Sequence, residues 1–202
     1  MRYKVGLVVV AVSLVTPWLR PGSADASGRT TVRVSVPAAG GQSDGLSGDE
    51  SISSTGRYVA FVSSADNLVP GDTNGRNDVF VHDRKTRETT RANLTSDGME
   101  SDGSANDGGI SADGRFVVFA SGATNLVLDD TNQRQDVFLR DRTVGTTTRL
   151  SVGPAGVEAN GENSSPALSA DGRFASFASE ATNLVADDLT VGTEVFVRGP
   201  LR

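Results

Sequence analysis

Cysteine is absent, histidine occurs once and aromatic residues make up only 5% of the 202 residues. Without cysteine the chain can form no disulfide, thiol nucleophile or thiolate-ligated metal. With His82 as the single histidine, neither a Ser-His-Asp triad nor a zinc site of several histidines can be assembled. Long apolar runs are equally scarce. One run, over residues 5–15, follows Arg2 and Lys4 and precedes the small residues Ala24-Asp25-Ala26. It is about half the length that a membrane-spanning helix needs. The pattern predicts a signal peptide over 1–26, cut after Ala26, and a soluble exported protein; an uncut membrane anchor is the alternative.

Removing that leader takes away Arg2, Lys4, Arg20 and Asp25 and leaves 16 basic against 24 acidic residues. A net charge of −8 disfavours nucleic acid as a partner, because binding the phosphate backbone requires clustered lysine and arginine. An exported domain without disulfides has to be held by its core. The 176 residues from position 27 onward are enough to build one.

What fills those residues is a repeat. Ile110-Ser111-Ala112-Asp113-Gly114-Arg115-Phe116 is matched 58 residues earlier by Ile52-Ser53-Ser54-Thr55-Gly56-Arg57-Tyr58, and 58 later by Leu168-Ser169-Ala170-Asp171-Gly172-Arg173-Phe174. The same period relates Asn67-Leu68-Val69, Asn125-Leu126-Val127 and Asn183-Leu184-Val185. It also relates Asp78-Val79-Phe80, Asp136-Val137-Phe138 and Glu194-Val195-Phe196. Thr90-Arg91 matches Thr148-Arg149, and Arg33 falls in the same register. A fixed period of this size marks a repeat architecture, here with units 31–88, 89–146 and 147–202.

Each unit predicts four short strands. In the middle unit a brief one leads into the Asp113-Gly114 turn, and a second, 115–121, is apolar on both faces. A third covers 136–141, and a threonine-rich fourth covers 146–152. No segment has a helical period, so the chain is all-β. A strand apolar on both faces lies between two layers, as in stacked propeller blades. The run Ser-Ala-Asp-Gly-Arg-Phe before an apolar strand resembles the TolB-like, WD-type β-propeller repeat of exported bacterial proteins. That resemblance implies a propeller blade, a role in binding and a protein partner. A β-trefoil, also built of three four-stranded repeats, is the alternative fold.

Three blades are fewer than the four to eight that close a ring. The order begins with a fourth strand, 31–36, and ends with a third, 194–197, so the N-terminal strand is expected to complete the last blade. Two chains closing a six-bladed ring as a homodimer, an open arc, and a fragment of a longer propeller all fit this order.

Alternation of strands puts the two long connections, 65–77 and 36–50 with their copies, on one face, and most of the acid lies in them. Within the first kind, Asp72, Asn74 and Asp78, and again Asp130, Asn132 and Asp136, place oxygen ligands at loop positions 1, 3 and 7. Alternating oxygens of this sort suit calcium, although neither loop has the bidentate glutamate at position 12. The third copy keeps Asp188, Thr190 and Glu194. The competing reading is a turn whose side chains bond their own backbone.

Gly41-Gln42-Ser43-Asp44-Gly45 fits the hydrolase pattern G-x-S-x-G, but lacks the strand before it and helix after it that such an elbow requires. Ser43 also aligns with Ser101 and Ala159 inside a repeated loop. His82 aligns with Arg140 and Arg198, which predicts an outward, charge-tolerant position. No pair of acids stands out as a glycosidase pair. Asn93-Leu94-Thr95 and Asn163-Ser164-Ser165 fit the glycosylation pattern. The sequence thus reads as an exported, non-catalytic scaffold that binds a protein through an acidic loop face. A calcium-stabilised repeat and a carboxylate-based glycan hydrolase are the alternatives.

Overall fold

The computed structural model describes residues 27–201 together with the backbone of Ser23 and Ala24. Apart from those two residues, the predicted leader lies outside the described part. The chain divides into two units, Met1–Arg33 and Val34–Arg202. In the first, β1 (Ser23–Ala24) pairs with β2 (Thr30–Thr31). The second contains three antiparallel sheets, each made from strands consecutive in the chain.

The first sheet runs β3 (Ser47–Ile52), β4 (Tyr58–Ser63), β5 (Asp78–Asp83), β6 (Glu88–Arg91). The second repeats it as β7 (Ala105–Ile110), β8 (Phe116–Ser121), β9 (Asp136–Asp141), β10 (Thr146–Arg149). The third has β11 (Asn163–Leu168), β12 (Ala175–Ser179) and β13 (Glu194–Arg198). Consecutive four-stranded sheets stacked face to face are propeller blades and not a trefoil. The 58-residue period survives in every strand start except that of β12, and the fourth strand belongs to the sheet of the three before it.

All six residues of β5, β8 and β9 are buried, because each blade covers the next. Tyr58, Ala60, Val62, Val79 and Val81 of the first blade pack on Ile110, Val117, Phe119 and Phe138 of the second. Phe116, Val118, Val137 and Leu139 pack in the same way on Ala175, Phe177 and Phe196 of the third. Within each blade a stacked pair crosses from second to third strand: Phe61 with Phe80, Phe119 with Phe138, Phe177 with Phe196, at 5.9, 5.8 and 6.0 Å. Each fully buried phenylalanine contributes about 1.5–3 kcal/mol, so the few aromatics are concentrated where they stabilise most.

The turns between first and second strands lock neighbouring blades. The amide of Ala112 donates to the carbonyl of Ala170 at 2.9 Å, and that of Ser54 to Ala112 at 3.2 Å. Gly114 and Gly172 have φ of +76° and +68°, and each lies against an aromatic ring of the preceding blade, Tyr58 and Phe116. A side chain at either position would be strained by φ and would strike that ring.

Two details differ from the sequence reading. The first strand has six residues, with a bulge at Asp49, Asp107 and Ser165, whose φ values are 50°, 52° and 51°. The third sheet also ends at β13. Among the described residues that sheet has three strands, Thr31 pairs with Ser23, and residues 32–36, expected as a strand, form none.

Candidate functional site

The long connections of each blade meet at one end of the sheets. Where β4 leads to β5 and where β6 leads on to β7, the loops are tied by Thr73, whose amide and hydroxyl donate to Glu100 at 2.9 and 2.5 Å. The side-chain amide of Asn125 donates to the carbonyl of Glu100, and the amide of Thr124 to Asp102, both at 2.8 Å. The second blade repeats the tie with Thr131 and Glu158 at 2.8 and 2.6 Å.

At the centre of each tie sits an arginine from the end of the fourth strand. Nη1 of Arg91 lies 3.2 Å from Asp72, 2.8 Å from Asp78 and 2.5 Å from Glu100, and Nη2 donates to the carbonyl of Gly71 at 3.1 Å. Nη1 of Arg149 lies 3.3 Å from Asp130, 3.2 Å from Asp136 and 2.5 Å from Glu158. The guanidinium and the aspartates are nearly inaccessible to solvent. All six residues proposed as calcium ligands are therefore brought together, in two groups of three, and each group is gathered around a guanidinium. Asn74 and Asn132 donate to Asp78 and Asp136, at 3.2 and 2.9 Å, and point their oxygens at the amides of Arg76 and Arg134.

The electrostatics follow from burial. Asp72 and Asp130 are each pushed up to about 6, because loss of solvent outweighs the pull of Arg91 or Arg149. Burial raises Asp136 as well. Glu100 is held down at about 2, first by the hydroxyl of Thr73 and then by its amide and by Arg91. Three carboxylates facing one guanidinium leave an excess of negative charge inside the loop layer.

Residues that looked like candidates for chemistry are engaged elsewhere. His82 is buried, not outward: Nδ1 is 3.0 Å from the hydroxyl of Thr89, and burial lowers its pKa. Its counterpart Arg140 is buried too and donates to the carbonyls of Leu94 and Thr95. The position tolerates charge because loop carbonyls lie within reach, and exposure plays no part. The Ser43 hydroxyl donates to the carbonyl of Gly45 at 3.1 Å, as that of Ser101 does to Gly103 at 3.0 Å. The glycine in this loop is needed for packing: a Cβ on Gly45, Gly103 or Gly161 would lie 2.4–2.6 Å from the backbone of the adjacent loop. Asn93 and Asn163 are buried and donate to Asp78 and Asp136, at 2.5 and 3.2 Å, so both serve the clasp.

No family model matches the chain, and no curated protein matches it. The solved structures it is similar to are TolB and related β-propellers. TolB from Acinetobacter baumannii is 19% identical, over 78% of this chain and 30% of that one, with a TM-score of 0.43. A putative TolB from Agrobacterium tumefaciens is 16% identical over 74% and 44%, with a TM-score of 0.47. The β-propeller domain of the Trilobed protease from Pyrococcus furiosus is 15% identical over 78% and 44%, with a TM-score of 0.42. The chain thus spans less than half the length of each.

Sequence reading missed the arginines as the centres of the site. Arg91 and Arg149 were visible only as repeat markers. The available signal was that an arginine, two aspartates and a glutamate recur together at the period of 58.

Proposed function

We propose that this chain is an exported, non-catalytic scaffold that presents the loop end of its blades to a protein partner. The observation behind this reading is that the arginine clasps of the first two blades and the histidine are each engaged by their own neighbours. Asp72, Asp78 and Glu100 hold Arg91; Asp130, Asp136 and Glu158 hold Arg149; His82 bonds Thr89. The clasps keep long loops rigid, and rigid loops on a fixed scaffold suit recognition. The same loops carry Leu128, Leu189 and Val191 exposed beside Asp129 and Asp187. Among the described residues, no helix is long and apolar enough to cross a membrane. Export rests on Arg2, Lys4 and the apolar run 5–15.

A photo-crosslinking residue at position 128 or 189, compared with one at position 144 in a short turn at the opposite end, tests the reading in the producing cell. Adducts with one protein from 128 and 189 alone support it. Equal adducts from all three positions, or none, overturn it. Calcium bears on the alternative: since a guanidinium already occupies the place between the candidate ligands, we expect calcium and chelator to leave the melting temperature unchanged.

A further inference from the structure

The end of the sheets opposite the long loops carries the opposite charge. The turn from third to fourth strand is Arg84-Lys85-Thr86-Arg87 in the first blade and Arg142-Thr143-Val144-Gly145 in the second. All four residues of the first turn are exposed. Nη1 of Arg84 donates to the carbonyl of Gly56 at 2.7 Å, and neither Lys85 nor Arg87 is in an ion pair among the described residues. The acids around them are engaged. Asp83 holds Arg57 and Asp141 holds Arg115, both at 2.6 Å, while Asp113 and Asp171 accept from the amides of Arg115 and Arg173 at 3.0 Å. Glu88, next in the chain, offsets one of the three cations.

The backbone of this turn gives a second observation. The amide of Arg87 closes it on the carbonyl of Asp83 at 2.6 Å, as that of Gly145 does on Asp141 at 2.8 Å. Their φ values are 66° and 77°. An arginine therefore holds a left-handed conformation that glycine adopts freely. A residue kept there at a conformational cost points to a use for its side chain. Beside it, Val144 of the neighbouring turn is 66% exposed. Nη2 of Arg142 donates to the hydroxyl of Thr90 at 3.4 Å, so the two turns stand side by side.

We propose that this end of the blades docks on an anionic lipid bilayer, with Arg84, Lys85 and Arg87 among the phosphate headgroups and Val144 entering the apolar boundary below them. Cations beside an exposed apolar side chain suit a surface whose charged and apolar layers adjoin, whereas an acidic protein segment or a dissolved polyanion needs only the cations. The acidity of the chain as a whole does not oppose this. Strands of six residues hold the acidic loops about 20 Å from these turns. Charge is screened within about 8 Å at physiological salt. Docking in this way points the loop end away from the bilayer, and it does not depend on what that end binds.

The chain has no cysteine, so a single introduced one can carry an environment-sensitive fluorophore. Val144→Cys and Leu128→Cys, each labelled with nitrobenzoxadiazole in the full chain, are titrated with vesicles of phosphatidylcholine, with and without phosphatidylglycerol. The label at 144 is expected to brighten with the anionic vesicles only and to lose that response as salt is raised; the label at 128 should respond to neither. Each cation near an anionic surface strengthens binding about fivefold, so Lys85→Glu with Arg87→Glu should raise the lipid needed for half response about tenfold or more. Arg87→Gly separates docking from structure: it should weaken the response without lowering the melting temperature. An equal response at 128, an equal response to neutral vesicles, or no loss in the charge-reversed variant overturns the proposal. So does the absence of any response to vesicles; brightening with poly-glutamate in that case would assign the turn to an acidic protein. The crosslinks from positions 128 and 189 test the scaffold reading separately.

Discussion

Arg91 faces three carboxylates with its side chain almost out of solvent, so removing it leaves uncompensated buried charge. Arg91→Ala is expected to lower unfolding stability by about 3–5 kcal/mol, read from the urea midpoint. The surface pair Arg134 with Glu162, both half exposed, should contribute less than about 1 kcal/mol by the same measurement. The clasp also has a pH signature. Asp72 and Asp130 titrate near 6 when folded and near 4 when unfolded. The folded state binds more protons between those values, so their stabilisation is complete below about pH 4 and lost as pH rises through about 6. Asp83 and Asp141 act in the opposite sense: hydrogen bonds from Arg57 and Arg115 lower them, so their stabilisation holds above about pH 4 and is lost as pH falls further. His82, lowered by burial, also favours the higher pH. The contribution of the two aspartates is isolated by difference. Between pH 4 and 7 the melting temperature of the Asp72→Asn, Asp130→Asn variant, relative to wild type, should rise. A flat difference would show that neither group titrates there. None of this was legible from spacing alone. Loop positions 1, 3 and 7 look the same whether a metal ion or a guanidinium stands between them, and the arginine lies 19 residues along the chain from Asp72.

Elements were far more legible, because a period of 58 repeats every local signal three times. The third strand over 136–141 was read to the residue, and the second began one residue later than the pattern suggested. The fourth strand stops at Arg149, three residues early, because the amide of Val137 donates to the Ser151 hydroxyl in place of a backbone carbonyl and the amide of Val152 turns back to Leu150; the chain continues as an isolated bridge from Val152 to Glu158. The bulge in the first strand was not legible: its positive φ falls on Asp49, Asp107 and Ser165, residues that also suit an ordinary loop. The loop glycines were legible as repeat markers but not as packing elements. Gly103→Ala would put a Cβ 2.6 Å from the backbone nitrogen of Ala123. Since backbone cannot swing aside as a side chain can, the loop has to move. We expect a loss of about 1–3 kcal/mol, together with weakened protection of the Ser121 and Ala123 region in hydrogen exchange. Gly122→Ala, with nothing near its Cβ, should change neither.

Across the whole molecule, stability is shared between blades more than it is held within them. The second blade is covered on both sides, and all six residues of β8 and of β9 are buried. The third blade has one neighbour, three strands, and a β13 in which exposed and half-buried residues alternate. In a stack of repeats each unit is stabilised by its own contacts and by its nearest-neighbour interfaces, so a blade with a single interface opens first. In dilute solution, amides of β8 and β9 should exchange only by global unfolding, with the same free energy as the urea transition, whereas those of β13 should exchange through a cheaper local opening. Val118→Ala, at the contact between second and third blades, should lower both free energies together and leave the gap as it was, because either opening breaks that interface. Ala substitution at Val62, on the other interface, should lower the global value alone and so narrow the gap, because opening the third blade leaves that contact intact. Equal exchange in β8 and β13 would mean that the blades open as one body and that the interface between them is not the weakest link.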